Sequence, residues 1–73
     1  MEYLESDFDV DVRHFAVYHK LTGAVFRFDD YPDPDGRTEV RVSFPGDIND
    51  RELAAMCSAA GHHLKARIDR TRS

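Results

Sequence analysis

Three aspartates at alternating positions, Asp7, Asp9 and Asp11, form the first group of residues whose spacing could serve chemistry. Carboxylates spaced in this way open the calcium loop of an EF-hand, which carries glycine at its sixth position and glutamate at its twelfth. Here those positions hold Val12 and Tyr18. Because apolar residues alternate with the aspartates, the pattern predicts a β-strand with an acidic outer face. We therefore predict no metal site.

A second group with possible chemistry combines Cys57 with the adjacent His62 and His63. Neighbouring side chains on a strand point to opposite faces, so the two histidines could not easily share one ion. Histidines at the end of a helix, where they interact with its last carbonyl groups, are the more typical interpretation. The sequence around Cys57 offers no activating base or oxyanion hole, and no phosphate-binding glycine loop is present. We predict no catalytic residue, no cofactor and no enzymatic activity.

The basic residues near the C-terminus suggest a third chemistry, the binding of phosphate groups in nucleic acid. They are Lys65, Arg67, Arg70 and Arg72. Most of the 14 acidic residues lie in the first 50 positions, and their charge would repel a nucleic acid from the rest of the surface. A small nucleic-acid-binding domain that uses this basic segment is therefore the alternative function.

One helix must position several of these residues, and its start is clearly marked. Asn49 is followed three residues later by Glu52, as in a capping box, and Ile48 and Leu53 occupy the positions of a hydrophobic staple. Apolar residues recur through residues 53–60 at helical spacing. Gly61 occupies the position of a left-handed C-cap, so the spacing predicts a helix over residues 49–60.

Two turns that end in glycine divide the preceding residues into strands. They are residues 20–23 and residues 33–36, and a change of phase near Arg13 and His14 predicts a bulge or bend. Folding about the turns predicts a three-stranded antiparallel meander in which Tyr18 pairs with Phe26, and Phe26 with Phe44. The same register places Asp29 opposite Arg41 as an exposed ion pair.

The complete prediction is an α+β fold with the order β-β-β-α-β. Alternation of His62, Leu64, Ala66 and Ile68 with polar residues predicts the last strand, which returns beside the sheet. The 73 residues form one domain, and we expect residues 1–7 and 70–73 to be flexible. The single Cys57 excludes an intramolecular disulfide and favours a cytosolic protein, and no apolar run is long enough to cross a membrane.

An interaction surface is the function class that remains. It would combine the acidic N-terminal strand, an exposed apolar group and the basic tail. The residues predicted to contact a partner are Glu5, Asp7, Asp9, Phe15, Val17, Val25, Arg70 and Arg72. The opposing possibility is that the N-terminal strand folds over the apolar group and that nothing binds there.

In size and layout, the chain resembles small, acidic, phage-encoded transcription regulators that bind bacterial RNA polymerase. The resemblance rests on the acidic residues 2–11, the meander of residues 15–44, the helix of residues 49–60 and the basic residues 65–72. It implies a monomeric, non-catalytic inhibitor or antitermination factor in the host cytoplasm that docks on a large protein complex. Anti-CRISPR proteins and antitoxins share this profile, so several partners fit the same class.

Overall fold

The computed structural model describes residues 3–32 and 38–72 of the chain. A short 3₁₀ helix, Glu5–Asp7, precedes four strands and one long helix. The strands are β1 (Phe8–Asp11), β2 (Ala16–His19), β3 (Val25–Phe28) and β4 (Val40–Ser43), and the helix is α1 (Asp50–Arg72). The predicted α+β class is confirmed, but the order of elements is ββββα. The predicted turn at residues 33–36 lies outside the described residues.

The four strands form one antiparallel sheet in the order β1-β2-β3-β4, so β1 and β4 are its two edges. The acidic N-terminal segment is therefore an integral strand of the sheet. The change of phase predicted near Arg13 and His14 is the turn between β1 and β2, where Phe15 has a φ of 50°. Asp11 stabilises this turn, because its Oδ1 accepts hydrogen bonds from the amides of Arg13 and His14 at 3.1 and 3.3 Å.

The predicted pairing of β2 with β3 is wrong by one residue. Tyr18 lies opposite Val25, and Val17 lies opposite Phe26. The turn at residues 20–23 forms as expected, with Gly23 in the left-handed region at a φ of 80°. However, the pair that closes it is His19 with Ala24, joined by a hydrogen bond of 2.8 Å. A shift of one residue exchanges the two faces of a strand, so Val17 enters the core and Tyr18 leaves it.

The pairing of β3 with β4 differs from the prediction by two residues. Phe26 lies opposite Val42 and Phe28 opposite Val40, so the faces are preserved. The predicted ion pair between Asp29 and Arg41 does not form, because Arg41 lies opposite Arg27.

The helix begins as predicted and ends twelve residues later than predicted, at Arg72. The Glu52 amide donates a hydrogen bond of 2.8 Å to Asn49 Oδ1, so Asn49 is the N-cap. Gly61 lies inside α1, and the predicted C-cap and fifth element, the strand after residue 61, are both wrong. The physical reason is a buried stripe at four-residue spacing, which continues through Gly61 and comprises Met56, Ala60, Leu64 and Ile68.

The core lies between α1 and one face of the sheet, which we call the inner face. Val17, Phe26, Ala60 and Leu64 are completely buried there. Residues 3–7, expected to be flexible, pack against this layer: the Tyr3 ring lies 5.8 Å from that of His19, which is itself buried. Residues 70–72, also expected to be flexible, belong to α1. The single layer of helix leaves the other face of the sheet, the outer face, uncovered.

Candidate functional site

The apolar residues predicted to contact a partner do not form one patch. Val17 is completely buried on the inner face, whereas Val25 lies on the outer face beside Tyr18. Phe15 is half-buried in the turn between β1 and β2 and packs against the core. The one-residue error in register explains the difference, since it had placed Val17 and Val25 on the same face.

Two of the charged residues predicted to contact a partner, Glu5 and Arg70, contact each other within the chain. Glu5 accepts hydrogen bonds from Arg67 Nη2 at 3.3 Å and from Arg70 Nη2 at 2.6 Å. Desolvation alone would raise the pKa of Glu5, but the charges and hydrogen bonds of Arg70 and Arg67 outweigh it and lower that pKa below 4.5. These contacts hold the N-terminal segment against the last turns of α1.

The other predicted charges lie in different places. Asp7 Oδ2 accepts a hydrogen bond of 3.1 Å from the Leu4 amide, which closes the 3₁₀ helix. Asp9 is exposed on the outer face, where its Oδ1 lies 3.7 Å from Lys20 Nζ. Arg72 is the last residue of α1, and its side chain lies outside the described part of the structure.

The basic segment is less available to phosphate groups than the sequence suggests. Besides Arg67 and Arg70, which contact Glu5, Lys65 Nζ forms an ion pair of 3.1 Å with Asp69 Oδ2. Asp69 also accepts a hydrogen bond of 2.7 Å from the hydroxyl of Tyr31. A phosphate would have to displace these carboxylates, so the structure adds no support to the nucleic-acid alternative.

The two histidines and the cysteine are separated from one another. His63 Nε2 donates a hydrogen bond of 2.9 Å to the carbonyl oxygen of Tyr3, and the His63 ring packs against Phe8. His62 is exposed, and both residues lie within α1 rather than at its end. Burial raises the pKa of the Cys57 thiol. Among residues 3–32 and 38–72, no three His, Cys, Asp or Glu side chains converge on a possible metal position.

A cleft of about 340 Å³ opens between α1 and the β3–β4 side of the inner face. Its lining is largely apolar, with apolar side chains contributed by Phe28, Val40 and Cys57 among others. From α1, the cleft is lined by a second stripe at helical spacing, which runs beside the buried stripe and consists of Ala54, Cys57, Ser58, Gly61, His62 and Lys65. We call this surface the cleft.

The cleft exists because α1 lies over β1 and β2 and leaves β4 largely uncovered. The paired residues Phe26 and Val42 both face inward, yet Phe26 is completely buried and Val42 is 39% exposed. At the bottom of the cleft, an added Cβ on Gly61 would lie 3.6 Å from the Phe28 ring. The small residue thus keeps the space between helix and sheet open.

The free edge of β4 borders the same region. The Asp29 amide donates a hydrogen bond of 3.0 Å to the carbonyl of Glu39, which makes these two residues a hydrogen-bonded pair. Along an antiparallel ladder, hydrogen-bonded pairs alternate with pairs that form no hydrogen bonds to each other. Arg41, two residues after Glu39, therefore also bonds to β3. The amides of Val40 and Val42, which lie at the positions between, point away from the sheet. The ladder between β2 and β3 supports this assignment. The amide of Phe28, which lies opposite Val40, donates a hydrogen bond to the carbonyl of Phe15 on the β2 side and so does not bond to β4.

Sequence reasoning missed the cleft, although the sequence contains a signal for it. Ala54, Ser58 and Gly61 are small residues on one stripe of the helix, adjacent to the apolar stripe that was recognised. Once the helix is extended through residue 61, a stripe of small residues indicates a shallow surface where another element approaches or where a ligand side chain fits.

The described part of the chain contains no helix that combines the length and apolar character of a membrane span. Comparison with known protein families, with curated proteins and with solved structures finds no match to this chain.

Proposed function

We propose that the protein is a non-catalytic, protein-binding regulator that takes up an extended segment of its partner along β4. The observation that carries this proposal is the position of the cleft directly beside the edge of β4, with which no strand of the described residues pairs. An added strand would bond to the outward amides and carbonyls of Val40 and Val42. Its alternate side chains would face inward, and an apolar one would enter the cleft beside Phe28.

The two parts of this surface have separate roles. Main-chain hydrogen bonds along β4 supply affinity for any extended chain, whereas the cleft selects the side chain that enters it. The lining favours an apolar side chain, because it is largely apolar and its lysine, Lys65, is already paired with Asp69. The resemblance to phage transcription regulators proposes bacterial RNA polymerase as the first partner to test, with an extended segment of one of its subunits as the ligand.

Selection from a random peptide library displayed on phage tests the proposal without assuming the partner. We expect the folded protein to select peptides with an apolar residue at a fixed position. Ala54→Trp should reduce their binding by about tenfold or more, because the indole fills the cleft and removes space for the ligand side chain. Ala55→Trp is the matched control, since Ala55 is the next residue of α1, is also exposed and does not line the cleft.

A second variant tests the strand edge. Val42→Pro removes an amide that points away from β3, so it should block strand addition and leave the β3–β4 ladder intact. If selected peptides bind Ala54→Trp and Val42→Pro as tightly as they bind the wild type, the proposed surface is wrong.

A separate experiment tests the partner. Direct binding to purified RNA polymerase is measured for the wild type and for the same two variants. Absence of that binding removes polymerase as the partner.

A further inference from the structure

The outer face of the sheet carries eight side chains in two rows that run across the strands. One row crosses the strands in the order Asp9, Tyr18, Val25 and Ser43, and the other in the order Asp11, Ala16, Arg27 and Arg41. No helix formed by residues 3–32 and 38–72 covers this face, and Tyr18 at its centre is 42% exposed. The rows therefore form a small surface with an apolar centre.

The charges of this face are separated by strand. Both acidic residues lie on β1, and both arginines lie on the opposite half of the sheet. The hydrogen bond from His14 is the largest influence on Asp11 and lowers the pKa of its carboxyl group, which keeps it ionised. The outer face is thus negative along one edge and positive along the other.

The arginine side contains an unfavourable contact that the chain itself does not relieve. Arg27 and Arg41 lie directly opposite each other on neighbouring strands, and like charges in that position destabilise a sheet. Within residues 3–32 and 38–72, neither of them forms an ion pair or hydrogen bond through its side chain. A carboxylate supplied from outside would remove this repulsion.

We propose that the outer face binds a second copy of this chain, face to face, about a two-fold axis parallel to the strands. This axis places β1 over β4 of the second copy and β2 over its β3, and it keeps the two rows in register. Asp11 then faces Arg41 of the second copy, and the same pair forms again on the other side of the axis. Two sheets packed with nearly aligned strands are a common arrangement.

The uncharged positions fit the same arrangement. Tyr18 faces Val25 of the second copy, and the small Ala16 faces the long Arg27 side chain. A two-fold axis across the strands would instead place β1 over β1 and bring the aspartates together, so charge selects one orientation.

Eight side chains provide less than the roughly 800 Å² per partner of a standard interface, so the dimer is weak and depends on its charges. This proposal replaces the expectation of a monomer and is independent of the cleft, which lies on the inner face.

Charge exchange tests the interface. The acidic-face variant carries Arg27→Glu and Arg41→Glu, and the basic-face variant carries Asp9→Lys and Asp11→Asn. Asparagine at position 11 retains the Oδ1 acceptor of the β1–β2 turn. Sedimentation velocity is measured for the wild type, for each variant alone and for their equimolar mixture, at concentrations up to about 500 µM, within the range of weak association. Circular dichroism melting establishes that each variant is folded.

We expect the wild type to dimerise, each variant alone to sediment as a monomer and the mixture to form a heterodimer. Raising the salt concentration to about 500 mM should dissociate these dimers, because exposed charges are then screened. A wild type that remains monomeric throughout, variants that dimerise alone as well as the wild type does, or a mixture that stays monomeric would each overturn the proposal. Ala54→Trp should dimerise like the wild type, so this result and the peptide selection fail or succeed separately.

Discussion

Two residues of the helix region, Asn49 and Gly61, show which features of a helix are determined by neighbouring residues and which by packing against the sheet. The Asn49 cap could be predicted because a capping box needs only residues within one turn. The position of Gly61 inside the helix could not be predicted, since glycine ends many helices but also occurs within them. The choice depends on Leu64 and Ile68, whose burial against the sheet continues the helix past the glycine. Packing supplied by the sheet therefore overrides a local stop signal.

Gly61→Ala should stabilise the protein, by about 0.5–1 kcal/mol, because alanine favours helix and restricts the unfolded chain. An added Cβ meets the Phe28 ring at 3.6 Å and Pro32 Cβ at 4.0 Å, both ordinary contact distances. Chemical denaturation measures the effect. A C-cap glycine would behave in the opposite way, because alanine is strained in the left-handed region. A loss of stability in Gly61→Ala would therefore contradict the continuous helix.

At the scale of elements, the patterns predicted strands better than they predicted pairing. Residues 62–69 alternate in polarity and also carry apolar residues four apart, so both a strand and a helix fit this short run. The predicted register of β2 with β3 was wrong by one residue because His19 and Ala24 close the turn at residues 20–23, and the turn residues alone do not determine which pair closes it. Because side chains alternate along a strand, that one-residue error was enough to exchange Val17 with Tyr18.

The ion pairs between the N-terminal 3₁₀ helix and α1 make stability depend on pH. The folded-state pKa of Glu5 is lowered, so its carboxylate stabilises the folded chain above the unfolded-state value of about 4.5. This contribution is lost as the pH falls through the lower, folded-state pKa. Glu5→Gln should therefore be less stable than the wild type at neutral pH, and the difference should shrink as the pH falls below the unfolded-state pKa and through the lower folded-state pKa.

Urea denaturation at a series of pH values measures this difference. The matched control is a double-mutant cycle with Arg67→Gln and Arg70→Gln together. In that background, Glu5→Gln should have little further effect at neutral pH, because the partners of the carboxylate are gone. A gap between wild type and Glu5→Gln that is the same at every pH would show that these ion pairs do not couple the two elements.

The arrangement of the whole molecule follows from one long helix on a four-stranded sheet. A single helix covers one face only, and its path over β1 and β2 leaves both the cleft and the outer face accessible. The sequence could predict an α+β class, but it left open whether the N-terminal strand covers the second face of the sheet. It could not predict the cleft, because the position at which the helix crosses the sheet depends on the sum of many packing contacts.

The central claim is that a partner segment joins β4 at its free edge, and amide hydrogen exchange tests it most directly. In the free protein, the amides of Val40 and Val42 should exchange rapidly, since they point away from β3. With a selected peptide bound, exchange at these two positions should slow by about tenfold or more, while Arg41, already bonded to β3, should change less. Unchanged exchange at Val40 and Val42 in the saturated complex, or protection along β1 instead, would contradict the claim.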